Sequence, residues 1–113
     1  MLSIIREIKI NLNEALSKLN LLRINRKKYN EDYEYFRAAK TELQCVINVV
    51  DLKELRDIRL DLKSVRGNLK YIADDIVFND KSYDTFIFAY QLIDKSIEEI
   101  EYYFEELKNK EIA

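Results

Sequence analysis

Proline is absent from the 113 residues, glycine occurs once, at Gly67, and the chain has no histidine and no tryptophan. Each absence excludes something. An all-β domain of this size needs many turn residues, so the near absence of proline and glycine favours long helices. Without histidine, Ser–His–Asp and Cys–His nucleophilic sites cannot be built in their usual form, nor can histidine-based zinc sites or the Glu/His pairs of di-iron bundles. Helical-bundle ribonucleases of the HEPN type fail on the same missing residue. One glycine cannot make a glycine-rich loop that cradles phosphate. The single cysteine, Cys45, has no partner for an intramolecular disulfide, which suits a reducing compartment. With apolar neighbours and no histidine to activate it, Cys45 is expected to pack inertly.

Long apolar runs are missing too. The longest uncharged stretches, Leu43–Val50 and Thr85–Ile93, are far too short to span a bilayer. Arg6 and Glu7 interrupt the start before a signal-peptide apolar region could form. These features predict a cytoplasmic protein with no membrane association. What is present is a mixture of 48% hydrophobic and 35% charged residues at a net charge of −2. That mixture fits one amphipathic helical domain over residues 1–113 and exerts no global pull toward nucleic acid. The abundance of Ile, Lys, Asn and Tyr matches AT-rich bacterial or phage genomes.

Periodicity is the dominant signal. Ile5, Ile8, Leu12, Ala15, Leu19 and Leu22 advance in alternating steps of three and four, the spacing that keeps side chains on one helix face. Leu55, Ile58, Leu62, Val65, Leu69, Ile72 and Ile76 repeat it, as do Phe86, Tyr90, Ile93, Ile97, Ile100, Phe104 and Leu107. A fourth row reads Tyr29, Tyr33, Phe36, Lys40, Leu43, Ile47 and Val50, with Lys40 the one residue out of pattern. Four helices are predicted, at about 2–28, 30–49, 52–78 and 83–110. Asn30 suits a helix start, Asp51 with Glu54 resembles a capping box, and Ser82 or Asp80 suits the last cap. Short links make neighbours antiparallel, giving an all-α, up-down-up-down four-helix bundle. The alternative joins the first two helices into one rod, giving three long, coiled-coil-like helices whose exposed seam is closed by dimerisation.

Adjacent acids, Asp74–Asp75 and Glu98–Glu99, point about 100° apart on a helix and are expected to be solvated charges. No catalytic, cofactor-binding or metal-ligating residue emerges. What needs explaining is the second set of apolar side chains. Ile10, Leu21 and Ile24 lie opposite the core row of helix one. Leu60, Gly67, Tyr71 and Phe78 lie on the far side of helix three, and Phe88, Leu92 and Tyr102 on that of helix four. An interior glycine costs about 1 kcal/mol against alanine, so Gly67 marks either a close approach by another helix or a break at Gly67–Asn68. Tyr35 and Phe88, off the core rows, could share an aromatic recognition tip.

Charge is uneven along the chain. Residues 1–28 carry seven Lys or Arg against two Glu, and residues 91–113 carry seven acids against three lysines. Attraction between helices one and four is the simplest account. Arg23, Arg26, Lys27 and Lys28 could instead touch an acidic partner or phosphate, and Glu98, Glu99, Glu101, Glu105 and Glu106 a basic partner. The reading that results is a non-enzymatic protein–protein interaction module. It could be a small bacterial or phage inhibitor, immunity protein, antitoxin or adaptor, with a homodimer as one way to cover the surplus apolar rows. Four-helix immunity proteins and small phage inhibitors share its size and class. The alternative is a nucleic-acid-binding accessory protein that uses the basic end of helix one.

Overall fold

A computed structural model describes residues 2–73 and 78–112. It contains four α-helices: α1 Leu2–Leu19, α2 Asn30–Val49, α3 Leu55–Ala73 and α4 Asp80–Ile112. α1 packs on α4 and α2, and α3 packs on α2 and α4, so the helices form a closed ring around one core. Contacts run in opposite order along α2 and α3, and along α3 and α4, the antiparallel sense. Tyr71 meets Glu31 whereas Ser64 meets Glu42, and Arg66 meets Asp94 whereas Lys63 meets Glu101. Among the described residues, no helix is long and apolar enough to cross a membrane.

The core follows the periodic rows. Ile8, Leu12, Ala15 and Leu19 from α1, Leu43 from α2, Ile58, Leu62, Val65 and Leu69 from α3, and Phe86, Ile93, Ile97 and Ile100 from α4 are all fully buried. Leu107, placed in the same row by its spacing, is 40% exposed, because α4 at 33 residues outruns its neighbours. Cys45 also departs from expectation and is exposed. Its sequence neighbours are apolar, but at 100° per residue it points away from the face that carries Leu43, Val46 and Ile47.

Helix one is shorter than its periodicity predicts. From Leu21 the hydrogen bonds tighten to Leu21 N–H→Lys18 C=O and Leu22 N–H→Leu19 C=O, both 3.1 Å. The Arg23 guanidinium donates to the carbonyls of Asn20 and Leu22, satisfying acceptors that the ended helix leaves open. The Asn25 side chain then accepts from the backbone N–H groups of Lys27 and Lys28, closing a turn. Residues 20–29 are therefore a loop, which excludes a single rod made of α1 and α2.

The other boundaries shift for similar reasons. α2 begins at Asn30 as expected, with Glu31 and Asp32 at its positive end but no side-chain cap. Asp51 does not cap α3; its carboxylate takes Lys9 at 2.9 Å, and α3 starts at Leu55. α4 is capped by Asn79, whose Oδ1 accepts the Ser82 N–H at 2.9 Å, and neither Ser82 nor Asp80 takes that role. α3 runs through Gly67–Asn68 without a break. Ile76 and the Asp74–Asp75 pair lie outside the described residues.

Candidate protein-binding surface

On α3 the core residues Leu55, Ile58, Leu62, Val65, Leu69 and Ile72 fill one side, so the residues displaced by half a turn must face out. These are Leu60, Ser64, Gly67 and Tyr71. Leu60 is 55% and Tyr71 42% exposed, and Gly67 is exposed between them. A Cβ built on Gly67 would meet nothing within 4 Å. The row therefore has two large side chains about 16 Å apart along the helix with an open floor between them.

Tyr71 is held in place. Its ring stacks on Tyr35 of α2 at a centroid distance of 4.0 Å and an interplanar angle of 19°. Its hydroxyl donates to Glu31 Oε1 at 2.6 Å. That bond first, then desolvation and the Glu31 charge, pushes the Tyr71 pKa up to about 12. Two turns back, the Ser64 hydroxyl donates to Glu42 at 3.1 Å. The face is thus a rigid ridge, with acids of α2 along one side and Lys63 and Lys70 at helical spacing on the other.

The other expected interface residues fall elsewhere. Phe78 turns inward from a bend, half-buried, with its ring 6.1 Å from Phe36 and 5.3 Å from Phe86, so it closes the core. Ile24 is only 8% exposed, because residues 22–24 have left the helix and fold back over the bundle end. Tyr35 and Phe88 do not form a shared tip. Tyr35 joins Tyr71, whereas Phe88, 43% exposed, lies on the diagonally opposite helix with the Lys18 ammonium 5.7 Å above its ring. Ile10 and Leu21 are exposed at 60% and 71%, the first flanked on its own helix by the exposed Arg6, Asn13 and Glu14, the second in the loop. Leu92 is half-buried and packs against the core.

The charged candidates are likewise dispersed. Arg23 is bound to carbonyls. Arg26 lies 3.9 Å from Glu34 and over the Tyr33 ring, and Lys28 lies over the Tyr29 ring. Lys27, Glu98, Glu101 and Glu105 are exposed, with Glu101 3.8 Å from Lys63. The expected attraction between helices one and four does not materialise: no ion pair joins α1 to α4 among the described residues. Four of the seven N-terminal cations sit in the 20–29 loop, at the opposite end of α4 from Glu98, Glu101, Glu105 and Glu106.

The α1–α4 groove carries like charge instead. Glu7 and Glu99 face each other across it, beside Glu98, Glu106 and Tyr102. Burial first, and then the Glu7 carboxyl, raise the Glu99 pKa above the usual carboxylate range, with Lys95 opposing at 4.0 Å. Glu99 is accordingly half-buried and is not the solvated charge its sequence position suggests.

Two features had weak sequence signals. Leu52, 82% exposed, lies in the link before α3 and not at a helix start. Lys40, the one break in the α2 row, marks a pocket that its spacing alone could not reveal. Comparison with protein-family models, curated proteins and solved structures returned no match.

Proposed function

We propose that the chain is a non-enzymatic protein-binding module that docks a larger protein on the outer face of α3. The observation that carries this reading is the exposure of Leu60 and Tyr71 on one row with the open Gly67 between them. The core closes without any of the three. An exposed leucine forgoes about 1.5–3 kcal/mol of burial, and an interior glycine weakens the helix that bears it by about 1 kcal/mol. A second helix laid along the row would bury both side chains and use the notch for close approach. Inhibitor, immunity protein and antitoxin are specific versions of this reading, and each would bind one dedicated partner in a cell interior. Use of the basic loop as a nucleic-acid site has less support, since Arg26 already sits beside Glu34 and over the Tyr33 ring, and Lys28 lies over the Tyr29 ring.

Gly67→Leu separates docking from folding. The added side chain enters open space, so the helix gains about 1 kcal/mol and the melting temperature rises or holds. Affinity purification from native-host cells with wild type, Gly67→Leu, Leu60→Asp and Ile10→Asp should recover one protein with wild type and Ile10→Asp only. Recovery with Gly67→Leu and Leu60→Asp as well, or with none of the four, overturns the assignment.

A further inference from the structure

A pocket of about 270 Å³ lies where the 20–29 loop folds back on the first half of α2. Its walls are Leu22 and Ile24 from the loop and Phe36 from α2, all buried or nearly so. Two cations open onto this apolar surface. Lys40 stands at a core-register position of α2, half-buried, with its ammonium 4.8 Å from the centroid of the Phe36 ring. Arg23 comes from the loop, with Nη1 fixed by the carbonyls of Asn20 and Leu22. Among the described residues, neither has a carboxylate within ion-pair distance. The third cation of the pocket, Arg37, is already neutralised, its Nε and Nη2 both donating to Glu34.

The chemistry of the arrangement is specific. Burial, and then the charge of the solvent-exposed Arg23, lower the pKa of the half-buried Lys40, so the two cations repel at the pocket mouth. A leucine at position 40 would continue the row and seal the floor. Two cations with no carboxylate partner among the described residues favour a ligand that brings negative charge. Arg23 is pre-positioned by its backbone bonds, which reduces the ordering cost of binding. The volume is just below the usual range for ligand sites, which suits a compact charged group with a short apolar flank and not a whole nucleotide.

We propose that the pocket between the 20–29 loop and α2 is a binding site for an oxyanion, a carboxylate or phosphate carried on a small apolar group, with Arg23 and Lys40 as its charged ligands. The site is separate from the α3 face and stands or falls independently of it.

Amide chemical-shift titration of the full chain tests this assignment, with inorganic phosphate in one arm and benzoate in the other, at ionic strength held constant with chloride. Saturable shifts confined to residues 22–24 and 33–40 are expected in at least one arm. The responding arm identifies the ligand as phosphate or carboxylate. Lys40→Met should weaken binding about tenfold or more while melting no lower than wild type. Lys40→Arg should retain binding, and Lys28→Met, a control on the same loop, should leave it unchanged. Shifts that do not saturate in either arm, or equal weakening by Lys28→Met and Lys40→Met, overturn the proposal. If Lys40→Met does not fold, retention of binding by Arg23→Gln overturns it instead.

Discussion

The α2–α3 seam and the α1–α4 seam join the same core, yet their outer edges are built on opposite principles. Along α2–α3 the surface residues are complementary: Tyr35 stacks on Tyr71, Tyr71 donates to Glu31, and Ser64 donates to Glu42. Along α1–α4 two carboxyls face each other in a groove where, among the described residues, Lys95 is the only cation. The first seam is braced from outside. The second is held by the apolar row beneath it, against a repulsion at its rim. Surface and core therefore contribute separately, and a rigid outer face on α3 coexists with a charged, open groove on the other side of the bundle.

The comparison can be broken at its base by truncating the two rows. Leu12 of α1 and Leu43 of α2 are both fully buried, and each Leu→Ala change should cost about 2–5 kcal/mol in chemical denaturation. Similar costs would place the difference between the seams at their rims; a much smaller cost on α1 would move it into the core. Tyr71→Ala removes the stack and the hydrogen bond together and should lower the melting temperature by about 4 °C. Tyr71→Phe keeps the stack and should lose less than half of that.

The smallest effect sharpens the other side. A carboxyl whose folded pKa is raised stabilises the fold while it is protonated, and that contribution is lost as pH rises through the folded pKa. Wild type should therefore lose stability as pH climbs out of the acid range. Glu99→Gln should flatten that slope and melt on the order of 1–2 °C higher at neutral pH. An unchanged slope would show that the Glu99 pKa is not raised in the folded protein.

Much of the fold was legible because burial and helical spacing agree. The α3 row leads to buried residues from Leu55 to Ile72, and the α4 row does so from Phe86 to Ile100 except at the half-buried Tyr90. Helix one shows where the method fails. Its row continues through Leu22, which is buried, but Leu22 reaches the core from a loop. Periodicity registers burial and cannot tell a helical residue from a loop residue that plugs the bundle end. The polar signals, Asn20 and Asn25, were present but are common within helices as well. On the candidate face, Leu60, Gly67 and Tyr71 follow from angle alone, whereas Phe78 does not, because its bend resets the angular count. The Tyr35–Tyr71 stack and the Arg23–Lys40 pocket each join residues from different elements, and single-helix periodicity carries no such information.

The length of α4 has a consequence for motion in solution. At 33 residues it is about 50 Å long and nearly spans the molecule's 55 Å axis, against widths of 23 and 20 Å. A body more than twice as long as it is wide turns slowly end over end and quickly about its axis. Helical N–H bonds lie nearly parallel to that axis, so their nitrogen relaxation reports the slow rotation almost alone. The amides of loop 20–29, set at other angles, sense the fast spin too, so the loop that carries Arg23 would relax differently even if it were as rigid as the helices beside it.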